Sequence, residues 1–285
     1  MEYRISVIGL GWLGMPLAVT LGENGYSVIG TKKDVAGYDS DVYGKVTFTA
    51  LELMGGYPRY SEPPPSVFAV DTLIITLPGS RQAEHAQRTF SDIRYLVAKA
   101  REAGARHIIY TSTTSVYGFV TGMLTETSPV RPASPGGTVM AEIERYLLQQ
   151  KDMSIDILRL AGLIGPDRHP ARSLSGRTNL PEGDHGVNLV HRDDVIEAIQ
   201  LLIRSRGPCR LYNLCSPSHP ARRDFYTQLC KENGLPAPEY NASDNTVANK
   251  MIDGSLICRE LGFKYAYSSP HDMPYVFRQS RKKSC

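Results

Sequence analysis

The first 30 residues constrain this chain more than any other stretch. Tyr3 to Leu10 is a short apolar, β-branched run suited to a buried parallel strand. Gly11 to Gly14 interrupts it, and Met15 to Glu23 carries Leu17, Ala18 and Leu21 at helical spacing. Gly25 ends that helix, and Ser27 to Thr31 reads as a second strand. Strand, glycine turn, helix and strand in this order open a βαβ unit. The turn itself, Gly9-Leu10-Gly11-Trp12-Leu13-Gly14, has the spacing G-x-G-x-x-G. Gly9 serves the tight bend. Gly11 lacks a Cβ, so main chain can approach a pyrophosphate, and Gly14 lets helix and strand meet closely. The helix start adds free N–H groups and a favourable dipole. Gly9, Gly11, Trp12, Leu13 and Gly14 are therefore expected to hold a dinucleotide.

The end of the second strand bears on which one. An acid there would bind the ribose 2′-OH of NAD, whereas a cation suits the 2′-phosphate of NADP. The chain reads Thr31-Lys32-Lys33-Asp34. Thr31 can hydrogen-bond, and Lys32 and Lys33 can supply charge, which favours NADP(H). Asp34, further on, leaves NAD open. Leu77 and Thr111, at the ends of two later strands, complete the expected cofactor contacts.

Strands and helices continue to alternate. Strands are expected at Val46–Thr49, Asp71–Leu77, His107–Ser112, Ser154–Leu160 and Arg210–Leu214. Helices are expected at Gln82–Ala103, Thr138–Gln150, Arg222–Asn233 and near Ser255–Leu261, and a strand with a helix over Val187–Arg204. This pattern predicts an α/β fold with a Rossmann-type, doubly wound parallel sheet and a smaller C-terminal substrate segment. Residues 1–165 form the expected dinucleotide domain, with 187–215 returning to the sheet. Residues 166–186 and 216–285 form the smaller segment, expected over the carboxyl edge of the sheet.

The chain has 285 residues, enough to bury a core without disulfide or metal staples. Its net charge is +3, but Arg278, Arg281, Lys282 and Lys283 supply four positive charges, so the remainder is slightly acidic. Nucleic acid is therefore not an expected partner. No apolar run is long enough to span a membrane. The five cysteines are scattered and form no C-x-x-C pair, and the N-terminus does not read as a secretory leader. These features point to the cytoplasm. The partners expected are a small-molecule substrate and, as an oligomer, a homodimer.

A second informative stretch is His107-Ile-Ile-Tyr-Thr-Ser-Thr-Thr-Ser-Val-Tyr-Gly118. It resembles the Ser-Ser-x-x-Val-Tyr-Gly segment of extended short-chain dehydrogenases/reductases, the NAD-dependent epimerase/dehydratase superfamily. Glu126-Thr-Ser-Pro129, Leu158-Arg159 through Gly165-Pro166, Asn188-Leu-Val-His191-Arg-Asp-Asp-Val195 and Tyr212-Asn-Leu214 resemble its later motifs in order. Gly11-Trp-Leu-Gly-Met-Pro-Leu-Ala18, Arg168-His-Pro170, His219-Pro-Ala-Arg222 and Ile252-Asp-Gly-Ser255 resemble the atypical, YeeZ-like members.

That resemblance implies hydride chemistry assisted by a Ser or Thr and by a Tyr-x-x-x-Lys pair. Thr113 falls at the Ser/Thr position. The pair does not follow: Gly136 stands at the Tyr position and Met140 at the Lys position. Tyr95 and Lys99 have the right spacing, but on an earlier helix expected outside the sheet. Tyr117 and His169 are the candidates to move a proton in place of the missing Tyr. Ser115, Arg168, Arg172 and His191 are expected to meet substrate. His191 with Asp193 and Asp194 could suggest a metal, but Asp193 reads as a first-turn acid, so no metal is expected.

The leading expectation is an NADP(H)-dependent oxidoreductase or epimerase/dehydratase-like enzyme acting on a small polar molecule such as a nucleotide sugar. The alternative is a catalytically silent dinucleotide-binding sensor or scaffold.

Overall fold

A computed structural model describes residues 2–40, 42–44, 46–77, 83–242 and 249–275. The basic tail with Arg278, Arg281, Lys282 and Lys283, Cys285, and the expected helix start at Gln82 lie outside the described residues. In chain order the elements are β1 (Arg4–Ile8), α1 (Gly14–Glu23), β2 (Ser27–Lys32), β3 (Val46–Ala50), β4 (Thr72–Ile75), α2 (Ala83–Glu102) and β5 (His107–Thr113). There follow β6 (Gly122–Leu124), α3 (Pro135–Leu148), β7 (Ser154–Leu160), β8 (Gly162–Ile164), β9 (Leu189–His191), α4 (Arg192–Arg204), β10 (Arg210–Leu214), α5 (Arg222–Glu232), β11 (Lys250–Ile252) and α6 (Leu256–Leu261).

The main sheet has seven strands in the order β10-β7-β5-β4-β1-β2-β3 and is parallel. The expected Rossmann-type doubly wound sheet is therefore present. Strands buried on both faces need apolar residues at nearly every position. Ile5, Val7, Leu73, Ile74, Ile75, Ile108 and Ile109 are accordingly fully buried. Leu17, Ala18 and Leu21 of α1 and Ile93, Leu96, Val97 and Ala100 of α2 bury the helical stripes against them. Helix α3 begins three residues before the expected start. Ser134 caps it by accepting from Gly137 N, and Pro135 fills the first turn, where its missing N–H costs nothing.

The chain divides into two compact units. The first comprises Met1–Gly118, Pro129–Arg159 and Ile196–Tyr212. Near the amino ends of its strands lies a buried polar chain. Thr72 Oγ1 meets His107 Nδ1 at 3.2 Å, and His107 Nε2 meets Asp156 Oδ2 at 2.8 Å. Arg210 grips the same carboxylate with two N–H groups at 2.7 Å each.

The second unit comprises Phe119–Ser128, Leu160–Val195 and Asn213–Cys285. Its core gathers Ile164, Val187, Leu189, Phe225, Leu229 and Met273. Two short parallel pairs form, β6 with β11 and β8 with β9. The strand expected after Val187 is β9, whereas β6, β8 and β11, at three residues each, carry too little periodicity to be read as strands. Residues of the family-like motifs fasten this unit. Asn188 accepts from Ile252 N at 2.9 Å and donates to Lys250 O at 2.8 Å. Glu126 accepts from Asn213 N at 2.8 Å. Asp194 is buried and accepts from Ala266 N at 2.7 Å. Burial pushes its carboxyl up to about 6, against the main-chain N–H groups of Ala266 and Tyr267 that hold it down.

Asp156→Ala would leave His107 and Arg210 without their shared carboxylate. It is expected to cost about 3–5 kcal/mol, read from urea unfolding. Asp194 gives a pH signature of the opposite kind. Its folded pKa lies above the unfolded value, so it weakens the fold progressively as pH rises from about 4 to about 6, and the full cost persists at neutral pH. Asp194→Asn should therefore raise stability at pH 7.5 and have little effect at pH 4, with urea midpoints as the measurement.

Candidate functional site

Strand order in the sheet reverses between β1 and β4, the place where parallel α/β sheets open a crevice at their carboxyl edge. A cavity of about 360 Å³ lies there, among the carboxyl ends of β1 to β4. Gly9, Gly11, Thr31, Lys32, Lys33 and Leu77, all expected to contact the cofactor, line it. Trp12, Leu13, Gly14 and Thr111 are not among the lining residues. Leu13 and Gly14 form the buried start of α1, and Thr111 donates its hydroxyl to Ile75 O at 3.3 Å.

The glycine turn is shaped by its neighbours. Gly9 has φ +98°, which side-chain-bearing residues rarely adopt. Thr31 Oγ1 accepts from Gly9 N at 3.2 Å, and Thr76 Oγ1 donates to Gly9 O at 2.8 Å. Two threonines on the flanking strands thus hold the bend. A Cβ on Gly14 would lie 2.2 Å from Gly9 O, so helix and turn can only meet this closely at a glycine. A Cβ on Gly11 would meet nothing within 4 Å. It would project into open space, as required of a main-chain cradle for a diphosphate. No side chain caps α1, so its amino end offers its dipole to an anion. These features fit a dinucleotide.

At the end of β2, Lys32 Nζ donates to Leu10 O at 3.3 Å and lies 5.2 Å from the Tyr38 ring centre. Lys33 Nζ pairs with Glu52 Oε1 at 2.8 Å. Glu52, Thr76 and Asp92 line the cavity and went unnoticed in the sequence. Glu52 could have been found only through strand register. The pairing of Lys32 with Ala50 brings the residues after β2 and β3 side by side.

The second cluster of the first unit lies at the end of β5. Thr113 is half-buried, and its Oγ1 accepts from Ser115 N at 3.2 Å, capping the tight turn Thr114–Tyr117. That bond leaves the Thr113 O–H available as a donor. Tyr117 is fully buried, and its hydroxyl accepts from Arg159 Nη1 at 2.8 Å. Arg159 also grips Glu144, with Nη2 donating to Oε2 at 2.7 Å, and Ser112 Oγ donates to Glu144 Oε1 at 2.5 Å. Burial opposes the Arg159 charge, but Glu144 and Tyr117 more than offset it and raise its pKa. The Tyr117 hydroxyl is thus engaged in a buried network rather than open to solvent. Gly136 sits in the first turn of α3, and the buried Met140 accepts through its sulfur from Tyr110 OH at 3.1 Å. Tyr95 and Lys99 lie on α2, where Tyr95 OH donates to Glu62 Oε2 at 2.7 Å and Lys99 Nζ stands 4.0 Å from the same oxygen.

The remaining expected site residues belong to the second unit. Arg168 and Arg172 are exposed. His169, expected to move a proton, is buried, its ring centre 5.3 Å from that of Tyr275. The aromatic and apolar surroundings outweigh the polarity of the Arg-His-Pro sequence. Burial first, then Arg172, lowers its pKa against a bond to Asn233 that raises it. His191 is also buried, with its ring centre 4.6 Å from Tyr267 and Nδ1 accepting from Asp193 N at 3.2 Å. Burial lowers its pKa as well.

Comparison with known proteins agrees with this architecture. The chain is 41% identical to protein YeeZ of Escherichia coli K12 over 271 residues, which is 95% of this chain and 98% of that protein. A functionally unknown conserved protein from Silicibacter pomeroyi superimposes with a TM-score of 0.75 at 21% identity, covering 94% of this chain and 95% of that one. MoeE5, solved in complex with UDP-glucuronic acid and NAD, has a TM-score of 0.75 at 20% identity, over 93% and 94%. UDP-glucose 4-epimerase from Thermotoga maritima, solved with UDP-glucose, has a TM-score of 0.71 at 18% identity, over 92% and 94%. These three share the fold with this chain. The model of the NAD dependent epimerase/dehydratase family matches residues 5–215, and the chain belongs to that family.

Proposed function

We propose that this chain is an NADP(H)-dependent oxidoreductase or epimerase/dehydratase-like enzyme acting on a small polar substrate, with nucleotide sugars as the leading class. The observation that carries this reading is the Gly9–Gly14 turn, whose main chain faces a cavity where a Gly11 side chain would find only open space. Family membership and the two neighbours solved with nucleotide sugars support the substrate class.

A bound nicotinamide supplies hydride acceptance and donation. The chain supplies the rest. The amides of the turn hold the diphosphate, with Thr31 and Thr76 keeping the bend in place. Lys32 and Lys33 provide cationic charge for a 2′-phosphate. Thr113 donates its O–H to a substrate oxygen, polarising the carbonyl as its carbon changes oxidation state. Tyr117 acts through the Arg159–Glu144 network to position the Thr113–Tyr117 turn. His169, kept neutral near pH 7 by burial, is the candidate proton acceptor. Ser115, Arg168, Arg172 and His191 remain the proposed substrate contacts. Arg168 and Arg172 suit a phosphate or carboxylate.

A second reading has its own observation. Gly136 and Met140 cannot transfer a proton, and Met140 is already bonded to Tyr110. A dinucleotide-binding sensor without turnover would look the same in these positions. A carbonyl and nucleotide-sugar panel with NADPH and NADH separates the two. Hydride exchange with any substrate eliminates the sensor. Binding without turnover, with oligomeric state changing on NADPH addition, eliminates the enzyme.

Gly11→Val is expected to abolish NADPH binding in calorimetric titration while leaving the melting temperature nearly unchanged. Equal binding by the variant would refute the cradle. Thr113→Val should lower kcat/KM by about 10²-fold with NADPH affinity intact, measured by steady-state kinetics alongside titration.

A further inference from the structure

The residues just after β2 include no acid that lines the cavity, yet the cavity has two from elsewhere, Glu52 and, on α2, Asp92. Glu52 arrives from β3, two residues beyond the last paired position of that strand. Its backbone is fixed by a hairpin. Arg59 N donates to Glu52 O at 2.8 Å, Met54 N donates to Tyr57 O at 2.8 Å, and Gly56 N donates to Asp92 Oδ1 at 2.7 Å. The same hairpin returns Arg59 to the carboxylate, with Nη1 donating to Oε2 at 3.1 Å. Lys33 takes the other oxygen at 2.8 Å. The Glu52 side chain is only 12% exposed, against 77% for Lys33 and 48% for Arg59. The anion is therefore the shielded member of the trio, and the two cations are its more exposed partners. The cation beside it holds the Glu52 carboxyl below its usual range, so it is ionised at neutral pH.

We propose that Glu52 sets the choice between the two nicotinamide dinucleotides. It acts as the acceptor for a ribose 2′-OH and competes with a 2′-phosphate for Lys33 and Arg59. A carboxylate in this place has two opposed effects. Toward NAD it offers the hydrogen-bond acceptor that an acid after β2 would supply. Toward NADP it repels the added phosphate and occupies two of the cations that would neutralise it. Lys32, engaged with Leu10 O and the Tyr38 ring, remains as the cation not tied to this carboxylate. Glu52 thereby narrows the preference for NADP(H) that Lys32 and Lys33 alone would give. This inference rests on the dinucleotide reading above and refines its cofactor preference.

The test is binding rather than turnover. Dissociation constants for NADPH and NADH are measured by titration calorimetry at low salt on the native chain, Glu52→Gln and Arg59→Ala. Glu52→Gln should tighten NADPH and weaken NADH, moving their ratio toward NADPH by about tenfold. Arg59→Ala should move it toward NADH by a similar factor, because Glu52 then faces the phosphate with one fewer cation. A ratio within twofold of native in either folded variant overturns the role of Glu52 while the dinucleotide reading stands. A shift in the opposite direction does the same. If Glu52→Gln does not fold, Arg59→Ala decides the matter alone, since Arg59 is largely exposed. Failure of the native chain to bind either nucleotide would overturn the dinucleotide reading and this inference with it.

Discussion

Strand β1 lies between β2 and β4, and this parallel pairing is the constraint on which the rest depends. Register fixes Ile8 beside Thr31 on one side and Ile75 on the other. The residue that follows β1 is then held from both flanks, by Thr31 accepting from Gly9 N and by Thr76 donating to Gly9 O. A left-handed glycine at that point is tolerated because hydrogen bonds from two rigid strands define it. The open face of Gly11 and the amino end of α1 take their positions from this anchored bend. The same register carries the ends of β2 and β3 together, which places Lys33 against Glu52.

The end of β5 shows a different use of polar groups. Ser112, Glu144, Arg159 and Tyr117 form a buried network that joins β5, its following turn, α3 and β7. An ion pair out of water gains little net stability over apolar packing, but it has one satisfactory geometry. Its effect is to orient the Thr113–Tyr117 turn in a single way. Tyr117, an attractive proton donor by sequence, is committed to this network. Thr113 keeps a hydroxyl with a donor to spare, because its oxygen accepts from the Ser115 amide. The chain thus keeps a threonine able to donate at the position where the family resemblance expects a Ser or Thr, while the positions of the Tyr-x-x-x-Lys pair hold a glycine and a buried thioether.

Much of the fold was legible in the sequence because its signals are local. Val7, Leu73, Ile74 and Ile108 belong to short apolar runs too brief for helices, and Leu17 and Leu21 recur at helical spacing. The strands Ser154–Leu160 and Arg210–Leu214 coincide with expectation residue for residue. The strands β6, β8 and β11 escaped because three residues carry no period and their pairing partners are distant in sequence. The candidate site divides along the same line. Gly9 and Gly11 announce themselves through spacing. Glu52 and Thr76 carry no motif, and nothing in the Arg168-His169-Pro170 sequence signals that His169 is buried against Tyr275.

The sequence by itself determined that this chain builds a strand–turn–helix–strand unit with a glycine cradle, and that the familiar proton-transfer pair is absent. Both follow from residue identity at fixed spacing, which neighbours along the chain largely decide. Only the tertiary structure decided which charges meet at the ends of β2 and β3, which tyrosine is locked to an arginine, and which histidines leave solvent. Those outcomes depend on strand register and burial. Register sets residues 19 apart within hydrogen-bonding distance, as Lys33 and Glu52 are, and burial changes the chemistry of a side chain without changing its name.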